Sequence, residues 1–238
     1  PAHRHENACS TGSTALYAGH DQIAAGRAKV VLVIGAEKMT DVPGPRLNEI
    51  LLSGSYREEE AQYGSFAGVF GEMARRYTER YGDPSDALAR IAAKNHANGV
   101  HNPYAQMRKD FGFEFCRSES DKNPFVAGPL KRTDCSLVSD GAAALVLTDS
   151  ETAKTMGKAV NIKATGHAQD CRPMSKRDIL ECEGCTVAWQ KALKAAGVEL
   201  GDLSFVETHD CFTVAELIEY EAMGLTPRGQ GARAIKEG

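Results

Sequence analysis

Two stretches of this sequence carry side chains able to break and make bonds. In ENACSTGST, residues 6–14, Cys9 stands at the head of a run of Ala, Ser, Thr and Gly. A helix starting there turns unpaired backbone N–H groups and the positive end of its dipole toward the thiol. Such surroundings lower a thiol pKa and favour a nucleophilic thiolate. The other reading is a small structural cysteine, and the local sequence weighs the two evenly. In ETHDCF, residues 207–212, His209, Asp210 and Cys211 crowd the end of an apolar segment. If that segment is a strand of an open α/β sheet, its C-terminal end is where such sheets hold ligands. A Cys with a separate His is an acyl-transfer pairing. A third stretch, CEGC, spaces Cys182 and Cys185 like metal ligands. No second Cys or His pair lies nearby to complete four ligands, so packing on one helix face is preferred and no metal is expected.

These residues need elements to position them. Residues 10–26 are helix-compatible, dominated by small side chains such as Ala15 and Ala18, with Gly26 as a stop. Residues 30–36, VVLVIGA, read as a strand apolar on both faces, as in a parallel sheet covered by helices. Further strands are expected over 140–149, 158–170 and 202–212, with helices over 186–197 and 213–224. Helix followed by buried strand, repeated, argues for an α/β layered fold. A different region, rich in Gly, Asn, Pro and charge, lies between about 39 and 129. Its helices span 66–82, where Phe66, Val69, Phe70, Met73 and Tyr77 share one face, and 85–99, with Ser85 as N-cap and Gly99 past the end.

The 238 residues have a net charge of −4 and no basic run, which argues against nucleic acid as a partner. The apolar runs are too short for a membrane-spanning helix. Seven scattered cysteines fit reduced thiols in a cytosol-like compartment. His96 and His101 lie in a polar stretch and read as solvated or loop residues, Glu58, Glu59 and Glu60 as a solvated face, and Cys116, Cys135 and Cys171 as thiols with no evident partner. The PAHRHE start, without Met, and the KEG end read as an internal piece of a longer protein.

The stretches ENACSTGSTALYAG, VSDGAAALVL and ETHDCFTVAELIEYEAMGL resemble the thiolases, most closely the sterol-carrier-protein-2-type thiolases, across essentially the whole chain. The resemblance implies a five-layered αβαβα fold of two similar halves: residues 1–38 with 130–157, and 158–238, with a helical loop domain over 39–129. It implies thiolysis of 3-oxoacyl-CoA or its reverse, condensation of acetyl-CoA, with coenzyme A as substrate and no cofactor. By this likeness Cys9 matches the nucleophile, on a helix buried between two sheets, and His209 a donor to the thioester enolate. Cys211 matches an acid/base thiol, and Ser136 a serine near the pantetheine arm. The family's Gly-His-Pro histidine and C-terminal cysteine loop do not occur in the 238 residues. A homodimer or dimer of dimers is implied, in the cytoplasm or, in a eukaryote, the peroxisome. A non-thiolytic acyl-CoA or steroid-CoA binding partner and a related ketosynthase are the competing readings.

Overall fold

The computed structural model describes residues 2–237. In chain order its elements are α1 (Thr11–Ala24), β1 (Val30–Glu37), α2 (Gly44–Leu52), α3 (Arg57–Glu60), α4 (Phe66–Tyr81), α5 (Ser85–His101), α6 (Gly112–Arg117), β2 (Phe125–Ala127), β3 (Leu130–Lys131), β4 (Gly141–Thr148), α7 (Ser150–Ala153), α8 (Glu183–Ala196), α9 (Thr213–Ala222) and α10 (Gly231–Glu237). They fall into two units, Pro1–Pro43 with Val138–Thr165, and Gly44–Leu137 with Gly166–Gly238.

In the first unit β1 pairs with β4 in antiparallel register, from Val30 opposite Thr148 to Glu37 opposite Gly141. The parallel, doubly covered sheet expected for residues 30–36 is therefore corrected. Helix α1 covers one face only, so Val31 and Val33 are half-buried while Val30, Leu32 and Ile34 are more than half exposed. Gly19 is the buried residue of α1, and a Cβ there would meet Leu147 at 3.0 Å and Val31 at 3.2 Å. The small-residue helix thus allows close approach to a ribbon. The expected burial between two sheets is not found, and Cys9 is exposed. Asp140 ties the two strand ends, accepting from Met39 N at 2.8 Å and Thr40 N at 3.0 Å. The Thr40 hydroxyl, donating at 2.6 Å, and then these backbone donors hold its carboxyl far below the usual range.

The second unit is mainly helical. Its core is built from Leu88 and Ile91 on α5, Val214, Leu217 and Ile218 on α9, and Leu130 on β3. Helix α4 begins as expected: the Ser65 hydroxyl accepts from Gly68 N at 2.9 Å, and Gly82 takes φ 94° at the far end. Helix α5 departs in detail. Its N-cap is Pro84, not Ser85, with Asp83 accepting from Ser85 N at 2.9 Å, and it runs through Gly99 to His101. Helix α8 ends at Gly197 with φ 65°, as read. It starts earlier than residue 186 because Asp170 accepts a hydrogen bond from Gly184 N and caps its first turn.

The strands expected over 158–170 and 202–212 do not form. Val160 is 96% and Phe205 78% exposed. Among the described residues the sheets are β1–β4 and β2–β3, and the ladder bonds of a further strand have no neighbour to receive them. Two other expectations also fail. Glu60 is buried and accepts from Tyr56 N, while Glu59 accepts from Ser175 N and Oγ at 2.9 and 2.6 Å, so this is not a solvated face. His96 packs edge-on against Phe111, with ring centroids 4.7 Å apart, and its burial lowers its pKa. No helix among the described residues is long and apolar enough to cross a membrane.

Candidate active site

The second unit gathers three of the four candidate residues at the start of α9. Phe212, directly before that helix, is buried and stacks on Phe70 of α4 at 4.3 Å. Its backbone bridges to Cys135, and Ser136 N donates to the Cys211 carbonyl at 3.0 Å. Asp134, fully buried, accepts from Thr213 Oγ1 at 2.9 Å and Lys131 N at 2.7 Å, with Lys131 Nζ at 3.4 Å. The segment 131–136 is thereby pinned to 211–213. This brings Ser136 beside Cys211, although 75 residues separate them in sequence (211 − 136).

The His-Asp-Cys turn is held from its other side by α5. Asn95 Nδ2 donates to Asp210 at 2.6 Å and to Glu216 at 2.7 Å. Lys94 forms an ion pair with the buried Glu216 and donates to the Tyr220 hydroxyl at 3.0 Å, and that hydroxyl in turn hydrogen-bonds Glu216. Desolvation, then the Glu216 carboxylate, raises the Asp210 pKa. His209 is exposed and close enough for its charge to act on both Asp210 and Glu219. Cys211 is half-buried, packed against the core beneath the turn.

Cys9 stands in the first unit, in a 3-10 turn (Ala8–Ser10) that runs into α1. The expected helix start is present, displaced to Thr11 by this turn. Ala8 has φ 46°, an uncommon value for a residue with a Cβ. Glu6 accepts from Ala8 N at 2.9 Å, Asn7 Nδ2 donates to Thr14 at 3.1 Å, and Thr11 Oγ1 donates to Ala8 O at 2.7 Å. These bonds fix the backbone that presents Cys9.

Sequence reasoning missed Lys94, Asn95, Asp134 and Glu216. A faint signal was present: a Lys-Asn pair on a helix otherwise rich in Ala, and an acidic residue amid the apolar run of α9. It also missed Glu219 on α9, half-buried, whose pKa desolvation and the nearby Cys182 raise to about 8 while His209 opposes. This carboxyl binds its proton more tightly folded than unfolded. Stability should therefore fall as pH rises from its ordinary 4.5 to about 8, by up to about 1.4 kcal/mol per pH unit. Glu219→Gln should remove that slope, and urea midpoints measured across this range for both proteins check it. Among the described residues no group of three or more His, Cys, Asp or Glu is placed to hold a metal ion.

The first unit thus carries an exposed cysteine at a helix start, and the second carries Ser136, His209 and Cys211 near the start of α9. Family models for the thiolase N-terminal domain and the thiolase C-terminal domain-like region match residues 1–151 and 166–238. The chain belongs to the thiolase family. It is 35% identical to an acetyl-CoA acetyltransferase of Methanothermobacter thermautotrophicus, covering all of this chain and 61% of that protein. It is 31% identical to human sterol carrier protein 2, covering 98% and 44% respectively. The chain thus spans about three fifths or less of these relatives' lengths. Among solved structures, the Ltp2-ChsH2(DUF35) aldolase aligns with TM-score 0.74 at 22% identity over 97% of this chain and 60% of that one. A monomeric SCP2-thiolase like protein from Mycobacterium smegmatis aligns with TM-score 0.66 at 22% identity over 92% and 47%. The thiolase-like α/β fold expected from the sequence is the fold of this chain.

Proposed function

We propose that the protein is an acyl-CoA thiolase that moves an acyl group between coenzyme A and an acyl-CoA enolate through a thioester on Cys9. The observation that carries this reading is the gathering of Ser136, His209 and Cys211 at the start of α9, in a chain that also presents Cys9 at a helix start. In the thiolysis direction the Cys9 thiolate attacks the 3-keto carbon of a 3-oxoacyl-CoA. The bond between carbons 2 and 3 breaks, and its electron pair becomes an enolate on the departing acetyl-CoA. His209 donates to the enolate oxygen, and Cys211 protonates carbon 2. The thiol of free CoA then attacks the Cys9 thioester, releasing the shortened acyl-CoA and restoring the cysteine. One thiol cannot hold the acyl group and move the proton together, so a second acid/base is required. Ser136 lies along the pantetheine arm. Coenzyme A is a substrate here, and the reaction uses no cofactor.

The proposal extends to a homodimer or dimer of dimers, to a cytoplasmic or peroxisomal place in lipid metabolism, and to two thiolase halves (1–38 with 130–157, and 158–238) around a loop domain (39–129). The likeness to sterol carrier protein 2 favours a second reading, an acyl-CoA or steroid-CoA binding partner without thiolysis. The full-length protein, given acetoacetyl-CoA and CoA, should yield acetyl-CoA and a trapped acyl-protein. Binding of acetoacetyl-CoA with neither product would establish the second reading instead.

Cys211 has its own test. Cys211→Ala should leave acylation of Cys9 by acetyl-CoA intact and reduce α-proton exchange on acetyl-CoA about a hundredfold or more, the range of a positioned acid/base. Exchange at the wild-type rate would move the proton-transfer role to another residue.

A further inference from the structure

We propose that Cys182 and Cys185 form a reversible dithiol–disulfide pair, oxidised by a small disulfide such as glutathione disulfide with Cys185 as the attacking sulfur. The pair lies in the second unit at the start of the 14-residue helix α8, outside the residues assigned to acyl transfer. Cys182 is the residue before the helix and Cys185 sits in its first turn. The two cysteines lie three residues apart at the helix start, the spacing that sets side chains on one face, and each thiol acts on the other as a hydrogen-bond partner. Both are half-buried, not sealed in the core.

The backbone is shaped to hold this arrangement. Cys182 takes φ 46° and ψ 50°, a left-handed conformation that residues with a Cβ adopt rarely, and such outliers concentrate at functional sites. Asp170 accepts from Gly184 N, and Arg177 in turn holds Asp170 at 3.1 Å. A Cβ on Gly184 would stand 3.0 Å from both Asp170 N and Oδ1, so a larger residue there would push the cap back by a few tenths of an ångström.

The electrostatics assign the order of events. The hydrogen bond from Cys182 lowers the Cys185 pKa against burial and the Glu219 and Asp170 carboxylates, and the guanidinium of Arg228 assists. The same hydrogen bond, with burial, raises the Cys182 pKa, so Cys182 keeps its proton. The helix N-terminus adds its positive field at Cys185. The Cys185 thiolate attacks one sulfur of glutathione disulfide, forming a mixed disulfide and expelling one glutathione thiolate. Cys182 gives up its proton and attacks Sγ of Cys185, forming the intramolecular bond and expelling the second glutathione. Two electrons and two protons leave the protein, and the oxidant becomes two thiols.

The other cysteines supply internal controls. Cys116 is fully buried, and burial pushes the Cys135 thiol up to about 12. Both should stay reduced under conditions that oxidise the pair.

The test uses the full-length protein in glutathione buffers of rising oxidised fraction, with a metal chelator present, followed by alkylation and tryptic digestion. Cleavage after Arg177 and Lys191 gives a peptide, 178–191, that contains Cys182 and Cys185 and no other cysteine. This peptide should appear unalkylated and lighter by two hydrogens as the oxidised fraction rises, and dithiothreitol should reverse the change. Cys182→Ser should trap a lasting glutathione adduct on residue 185, and Cys185→Ser should lose adduct formation at residue 182. A wild-type peptide alkylated at both sulfurs in every buffer would overturn the proposal. So would Cys182 joined to a cysteine outside the peptide. Because the wild-type peptide decides the question, a variant that fails to fold does not affect it.

Discussion

Replacing Cys9 with alanine is expected to lower acyl-transfer turnover by roughly six orders of magnitude, the loss seen when an enzyme's covalent nucleophile is removed. The thiol stands in the turn that leads into α1, whose first turn contains no acidic residue. The dipole of that helix stabilises negative charge on a sulfur placed there. Geometry should survive the change. The bonds from Ala8 N to Glu6, from Asn7 to Thr14 and from Thr11 to Ala8 O hold the turn through other side chains. Because Cys9 is exposed, its removal leaves no core cavity, and stability should stay within about 0.5 kcal/mol. Mass spectrometry of the full-length protein after incubation with acetoacetyl-CoA should find the acyl group on peptide residues including Cys9, and none in the variant. Acyl transfer that persists in Cys9→Ala would sink the covalent role assigned to this residue.

The legibility of the molecule in its sequence follows a physical divide. Features set within a few residues could be read: the span of α4 from its 3-4 apolar spacing, the Gly197 end of α8, and the start of α1 close to Cys9. Each depends on hydrogen bonds between neighbours in the chain. Features requiring distant partners could not. Residues 158–170 and 203–206 have the apolar character of strands, but a strand exists only when another backbone completes its ladder. The same limit hid the supports of the site. Lys94 meets Glu216 across 122 residues, and Asp134 meets Thr213 across 79. A buried charge is tolerated only with such partners, and sequence spacing does not reveal them. The crowding of His209, Asp210 and Cys211 at one point was legible, because three such side chains together are improbable as core packing. Their arrangement was not, since Ser136 reaches Cys211 only through the pinned segment 131–136.

His209→Ala should reduce condensation turnover about a hundredfold to a thousandfold, the cost of one donor to a developing oxyanion. The imidazole is exposed on a turn fixed by other contacts: Asn95 to Asp210 at 2.6 Å, Ser136 N to the Cys211 carbonyl at 3.0 Å, and Phe212 stacked on Phe70. Alanine at 209 therefore removes the donor and leaves the turn, so the folded structure should change little. The donor matters most when charge has moved onto the thioester oxygen, and less while that oxygen is a neutral carbonyl. The effect should thus fall on kcat, with KM for acetyl-CoA nearly constant. Asparagine supplies an N–H at a similar reach, so His209→Asn should recover part of the lost rate where alanine does not. The pattern separates two roles for one side chain. A raised KM with unchanged kcat, and no difference between the alanine and asparagine variants, would make His209 a binding contact and move the oxyanion donor elsewhere.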